Sequence, residues 1–126
     1  MREEGDVRYL KASVIILSLL FCSVSSYAGS FKTAEEVYAL CTTKQDSASY
    51  VAKASSCHGY VMGVTDHFAH SMTEKMKKYI CLDHKITSQQ MLKIFVKYVD
   101  ENPKLMHHGA AGVVEYSVAE AFLCKD

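Results

Sequence analysis

The longest periodic run in the chain lies between residues 51 and 72, and it constrains the fold more than any other feature. Apolar side chains recur there every three or four residues, which is typical of one face of an amphipathic α-helix. The run predicts a central helix from about residue 48 to at least residue 70. Its apolar positions are Val51, Ala54, Cys57, Val61, Val64, Phe68 and Met72.

The opposite face of this helix carries two glycines four residues apart, Gly59 and Gly63, together with Asp66 and His70. Each glycine destabilises the helix by about 1 kcal/mol relative to alanine. Glycines are usually found inside a helix in spite of this cost where another backbone comes close. We therefore expect these four residues to pack against a second helix, for which the small residues at 109–112 are suitable. The alternative is a surface helix whose glycines have no packing role.

Two capping boxes, in which Thr is followed three residues later by Glu or Gln, mark further helix starts. Thr33 with Glu36 opens a short helix that ends near Cys41. Thr87 with Gln90 opens a third helix, which follows the central one. The inner face of this third helix is predicted to carry Leu92, Phe95, Val96 and Val99.

The single proline of the chain, Pro103, follows Asn102 and suits the first position of a helix. A fourth helix is therefore predicted to begin there and to end at Phe122. No segment alternates apolar and polar residues with the period of two that is typical of a half-buried strand. The sequence predicts an all-α, four-helix, disulfide-stapled bundle. The inner stripe of its last helix is expected to be Met106, Ala110, Val113, Ser117 and Ala121.

Residues 1–28 have the features of a secretory signal peptide. Two basic residues precede an apolar run at 12–24, and Ser26 and Ala28 are small residues at the positions that a signal peptidase recognises. The run is shorter than the roughly 20 residues that a membrane span needs, although an uncleaved anchor is an open alternative. We therefore predict a single exported domain at residues 29–126.

The charges of the chain balance, with 14 basic and 14 acidic residues among 126. Residues 1–28 hold three of each sign, so the predicted mature chain is also neutral. No block of like charge is present. The charge pattern therefore offers no support for a nucleic-acid partner or for an anionic membrane surface.

The predicted mature chain contains Cys41, Cys57, Cys81 and Cys124, and an even number in a small exported domain implies a disulfide framework. A straight central helix would hold Cys57 about 30 Å or more from Cys81, whereas a bridge needs Cα atoms within about 7 Å. Cys41 and Cys81 would flank almost the whole helix. The pairing Cys41–Cys57 with Cys81–Cys124 is therefore predicted, provided that the helix does not break near Ser71.

The residues that could carry chemistry form no recognisable catalytic, metal or cofactor site. His67 and His70 lie one turn apart, but no third ligand is evident and the thiols are assigned to bridges. Cys57-His58 lacks the second cysteine of a haem-attachment motif, and adjacent helical residues point in different directions. Phosphate-binding loops and nucleophile elbows are absent from the sequence. We predict no enzyme activity, no cofactor and no metal.

The cysteines and the segments around them form a pattern that covers almost the whole predicted mature chain. Its parts are Cys41, Cys57-His-Gly-Tyr-Val-Met-Gly-Val-Thr-Asp66, Cys81 and the segments 86–92, 98–103 and 119–124. Together they resemble the Rap/Tai family of type VI secretion immunity proteins. The chain departs from the family pattern at His84, near the usual position of a loop proline, and at Leu123, which replaces a proline.

This resemblance implies a small helical periplasmic protein, often a homodimer, that binds an antibacterial effector. The effectors are implied to be peptidoglycan amidases, whose active-site cleft the immunity protein occupies and blocks. Because loops held by rigid elements often carry recognition, we expect the effector contacts beside Cys81, at Leu82, Asp83, His84 and Lys85. The alternative is that this loop is only a connection.

Two other classes of function are compatible with these features. A small periplasmic chaperone of the acid-activated kind would also be helical and disulfide-bonded, and the six histidines could supply its charge change. An enzyme with an unrecognised site is the other class, and the lack of a titratable cluster in the sequence weighs against it.

Overall fold

Residues 31–83 and 85–125 of the chain are described by a computed structural model, in which they form four α-helices and two 3₁₀ turns. These ranges contain no strand, so the predicted all-α class is confirmed. The signal peptide predicted for residues 1–28 lies outside the described residues. None of the helices described is both long and apolar enough to span a membrane. The elements are α1 (Ala34–Cys41), α2 (Tyr50–Ser71), the turn Met76–Lys78, α3 (Ser88–Glu101), the turn Pro103–Leu105 and α4 (Ala110–Ala121).

The core lies between the four helices, each of which packs against the other three. Helix α2 buries Cys57, Val61 and Phe68 of its predicted apolar stripe, and it also buries Thr65, whereas Val64 of that stripe is half-buried. Val51 was expected in that stripe but is 75% exposed. Val51 lies in the first turn of α2, about 9 Å along the helix axis from Cys57. Cys57 is the residue to which the end of α1 is bonded.

The other helices bury stripes of small and medium-sized side chains. In α3, Phe95 and Val99 are buried as predicted, whereas Met91 is buried in place of Leu92, which is half-buried. In α4, Ala121 is exposed because it lies in the last turn of the helix, beyond Val118. The residues that α1 and α4 bury are Ala34, Val37, Ala110, Val113, Val114, Ser117 and Val118.

Both predicted capping boxes are present. The Thr33 amide donates to Glu36 Oε2 at 2.7 Å, and the Glu36 amide donates to the Thr33 hydroxyl at 3.3 Å. Thr87 and Gln90 repeat the pattern at 2.7 and 3.3 Å. The two capping boxes therefore mark the starts of α1 and α3 correctly. In the first of them, the hydrogen bond from the Thr33 amide lowers the pKa of the Glu36 carboxyl.

The last helix does not begin at Pro103, which opens only a 3₁₀ turn. The backbone after that turn accepts hydrogen bonds from the first turn of α1 instead. The carbonyl of Met106 accepts the amide of Glu35 at 3.0 Å, and the carbonyl of His108 accepts the amide of Ala34 at 2.9 Å. These amides belong to the first turn of α1, where no partner exists within the helix itself. Pairing them interrupts the predicted fourth helix.

The two predicted disulfides are confirmed. The Cα atoms are 5.1 Å apart in Cys41–Cys57 and 5.0 Å apart in Cys81–Cys124. Helix α2 ends at Ser71, but the helical segment that follows Cys57 is still about 21 Å long, which keeps Cys57 away from Cys81. The second bridge lies beside an antiparallel backbone pair, in which the Cys81 amide donates to the carbonyl of Phe122 at 2.7 Å.

We expect removal of either bridge to destabilise the domain, and by more for the bridge that closes the longer loop. In a chain-entropy account, the separations of 16 and 43 residues correspond to about 3 and about 4 kcal/mol. Urea unfolding of Cys41→Ala/Cys57→Ala and of Cys81→Ala/Cys124→Ala measures both losses, with the oxidised wild type as reference. Unchanged midpoints in both double variants would contradict the expectation.

A hydrogen bond joins α1 to α3 at the surface, where Tyr38 Oη donates to Asp100 Oδ1 at 2.6 Å. This bond raises the pKa of the Tyr38 phenol, and partial burial and the carboxylate charge act in the same direction. The folded chain therefore holds the phenol proton more tightly than the unfolded chain does. The stabilisation from this hydrogen bond is complete below the phenol pKa of the unfolded chain, which is about 10. It is lost as pH rises through the raised phenol pKa of the folded chain.

Replacing Tyr38 by Phe is expected to lower the free energy of unfolding by about 0.5–1 kcal/mol at neutral pH, because one hydrogen bond is removed. The variant should also lose less stability than the wild type between pH 9 and 12. Chemical denaturation across that range (~pH 9–12, around the phenol pKa) measures both effects. Tyr79→Phe is the matched control, because Tyr79 is exposed and its hydroxyl makes no hydrogen bond with the described residues, so both quantities should be unchanged.

Candidate functional site

A groove of about 700 Å³ lies beside the C-terminal half of α2. We call it the α2–loop groove, because its other side is the loop at residues 80–86. Its volume falls within the range of about 300–1,000 Å³ that is typical of binding pockets. The lining residues are Met62, Thr65, Asp66, Ala69, Met72, Lys77, Ile80, Cys81, Leu82, Asp83, Ile86 and Met91.

The loop that forms one side of the groove is fixed at both ends. At its start, Cys81 is bonded to Cys124, and at its end Thr87 caps α3. Between these points, Asp83 Oδ1 accepts the amide of Lys85 at 3.0 Å, and the carbonyl of Asp83 accepts the amide of Ile86 at 3.2 Å. The described residues of the loop are therefore anchored on both sides.

The lining of the groove is mostly apolar and includes three methionines. Met62 and Met72 are half-buried and Met91 is buried. Methionine has three rotatable bonds and a polarizable sulfur, so a surface of this kind adapts to the shape of a partner. The Thr65 hydroxyl, although polar, already donates to a carbonyl of α2 at 2.8 Å. The groove therefore favours apolar contact.

The charged groups of the lining are Asp66, Asp83 and Lys77. Lys77 Nζ lies 2.8 Å from the carboxylate of Glu74 and so has an ionic partner. The exposed side chain of Asp66 makes no hydrogen bond or ion pair within the described part of the chain. Residues 31–83 and 85–125 contain no group of three or more potential metal ligands. The arrangement can bind a partner, and it contains no recognisable catalytic set.

Two of the four predicted effector-binding residues, Leu82 and Asp83, line this groove. Leu82 is half-buried in its lining, and Asp83 is exposed and also lines it. Lys85 is exposed on the loop outside the lining, and His84 lies outside the described residues. Sequence reasoning thus singled out the loop but missed the groove behind it. A possible signal was the recurrence of methionine at 62, 72 and 91.

The expectation that the glycine face of α2 packs against another helix is wrong for the described chain. Gly59, Gly63, Asp66 and His70 are all exposed. A Cβ atom built on either glycine meets no atom within 4 Å. The segment 109–112 does not cover this face, because its first residue caps α4 and pairs with the start of α1.

Because these glycines are exposed in the middle of a helix, we expect Gly59→Ala and Gly63→Ala to raise the stability of the isolated domain. The expected gain is about 0.5–1 kcal/mol for each, or a rise of several degrees in Tm. Differential scanning calorimetry of the single and double variants measures the change. A fall in Tm would indicate a close backbone contact on this face and would contradict the exposed arrangement.

The sequence profile of the Rap1a immunity proteins matches residues 33–124, a span that includes all four described helices and both disulfides. The chain belongs to the Rap1a immunity protein family. The resemblance noted in the cysteine pattern is thereby confirmed. No curated protein and no solved structure matches the chain.

Rap1a immunity proteins are inhibitors without enzymatic activity, so the prediction that the chain is not an enzyme is confirmed. Membership implies that the protein neutralises a type VI secretion effector. It thus favours the immunity role over the chaperone alternative. The disulfides and the family both indicate the periplasm.

Proposed function

We propose that this Rap1a immunity protein neutralises a type VI-secreted peptidoglycan amidase by occupying its active-site cleft. The observation that carries the proposal is the position of Leu82 and Asp83, which line the α2–loop groove directly after Cys81. The Cys81–Cys124 bridge anchors this start of the loop. An amidase that degrades peptidoglycan acts in the periplasm, the compartment in which such a bridge persists.

Pre-organisation supports a binding role for this loop. A segment that is already fixed at both ends loses little conformational entropy when it binds, so more of its contact energy appears as affinity. Exposed Asp83 and Lys85 carry opposite charges close together. Charges placed in this way contribute to the choice of partner and to the rate of association.

The proposal includes two further features that follow from the family resemblance. The leader at residues 1–28 is proposed to direct export and to be removed. The mature protein is proposed to act as a homodimer, which sedimentation velocity of the purified domain would test. A purely monomeric domain at micromolar concentration would remove the dimer from the proposal.

The immunity role is tested by co-expression in a bacterial periplasm with type VI-secreted peptidoglycan amidases, beginning with any that is encoded beside the gene of this protein. We expect the wild type to restore growth and to bind the purified amidase. Growth arrest in the presence of correctly exported wild type would contradict the proposed function for that amidase.

Alanine replacement of residues 83–85 is expected to weaken binding of the amidase by about tenfold or more, equivalent to about 1.4 kcal/mol. Tm should fall little, because Asp83 and Lys85 are exposed and the one described side-chain hydrogen bond that is lost, from the Lys85 amide to Asp83 Oδ1, lies in a loop. Alanine replacement of residues 44–46 is the matched control, since Lys44, Gln45 and Asp46 form an exposed loop far from the groove lining. Isothermal titration calorimetry measures the affinities. Equal affinity of both triple variants would exclude the loop from the interface.

A further inference from the structure

The α2–loop groove has an apolar lining that also contains the carboxylates of Asp66 and Asp83. The side chain of Asp66 makes no polar contact with the described residues. Asp83 uses Oδ1 for the amide of Lys85, and its other carboxylate oxygen makes no hydrogen bond within the described ranges. A partner that covered the groove with apolar groups alone would remove water from Asp66 without replacing its interactions, which is unfavourable. The groove therefore favours a partner group that is both apolar and positively charged.

We propose that the α2–loop groove receives a basic side chain of the effector, an arginine or lysine. Its methylene stem would lie against the methionines, and its charged group would pair with Asp66 and Asp83. The identity of the partner rests on the proposed function, whereas the chemistry of the groove does not. Arginine is also enriched among the residues that dominate protein interfaces.

The charges around the groove support this assignment. Lys77 is the one cation among the described residues of the lining, and its contact with Glu74 at 2.8 Å partly offsets its charge. Lys75 and Lys78 are exposed on the neighbouring turn and Lys85 on the loop, but none of the three lines the groove. Among the described lining residues, two carboxylates thus face a single cation. An acidic partner group would meet repulsion from Asp66 and Asp83.

The size of the groove also fits an arginine together with its neighbours. At about 700 Å³ the groove is larger than one side chain requires, so residues on either side of the basic one can enter as well. Flexible methionines adjust to an aliphatic stem more readily than branched side chains do. Long basic side chains bury such stems while their charged ends stay at a polar edge.

The probe for this proposal is the peptide acetyl-Ser-Leu-Arg-Leu-Ser-amide. Two matched peptides replace its arginine by citrulline, which has the same shape without the charge, or by glutamate. The domain is labelled with ¹³C at its methionine methyl groups, and the shifts of Met62, Met72 and Met91 are followed in low salt. We expect saturating shifts with the arginine peptide, with a Kd on the order of 1 mM.

The matched peptides are expected to bind more weakly, by about tenfold for citrulline, because hydrogen bonds to a charged group are stronger than neutral ones. The glutamate peptide should cause no saturating shift. A citrulline or glutamate peptide that bound as well as the arginine peptide would overturn the proposal. Absence of saturating shifts with the arginine peptide would also overturn it.

Variants locate the binding in the groove. Ala69 is exposed and lines the groove, so Ala69→Trp fills the space without removing core atoms. It should abolish the methionine shifts, whereas Ala52→Trp, at an exposed position of the same helix outside the lining, should not. If Ala69→Trp fails to fold, Asp66→Asn replaces it, with Asp46→Asn as control and a loss of about tenfold expected. Wild-type affinity in the folded groove variant would overturn the proposal.

The peptide titration tests the basic-side-chain site and the growth assay tests the immunity function, so the two outcomes can be told apart. Growth protection by the wild type without peptide binding would leave the immunity function standing and remove the basic-side-chain site. Peptide binding without growth protection would leave the site standing and contradict the proposed function.

Discussion

Two covalent links hold together a domain whose core is built from small side chains. Within the described ranges, the buried apolar residues are mainly valine and alanine, and no leucine or isoleucine is fully buried. Such a core removes less apolar area from water per residue than a core of large side chains would. Short chains of this kind commonly rely on disulfides to limit the entropy of the unfolded state. One bridge fixes α1 on α2, and the other fixes the loop after α2 on the C-terminus.

Much of the fold could be predicted from the sequence, because the decisive signals are local. The capping boxes at Thr33 and Thr87 are three-residue patterns, and each one marks the first turn of a helix correctly. The disulfide pairing followed from helix length alone. The apolar period of α2 identified Cys57, Val61 and Phe68 as buried residues.

The errors arose where the structure depends on non-local backbone bonds or on a neighbour that is absent. Pro103 has the local signature of a helix start, but the carbonyls of Met106 and His108 bond to amides of α1. Side-chain periodicity contains no information about such bonds. The glycines of α2 suggested a neighbouring helix, whereas the described residues leave this face exposed. The loop beside Cys81 could be selected from the sequence, and its role in recognition stays a prediction. The groove could not be predicted, because its lining comes from four separate segments.

The bridge at Cys81 also links recognition to the place where the protein matures. The polypeptide is made in a reducing compartment, where these thiols do not pair. Before oxidation, the wall of the groove lacks its covalent anchor to the C-terminus. Under the proposed function, the surface that meets the effector is thus completed only in the oxidising compartment that the toxin attacks. Synthesis of the chain would then be insufficient for protection, and the capacity of the cell to form disulfides would set how quickly newly made protein becomes active.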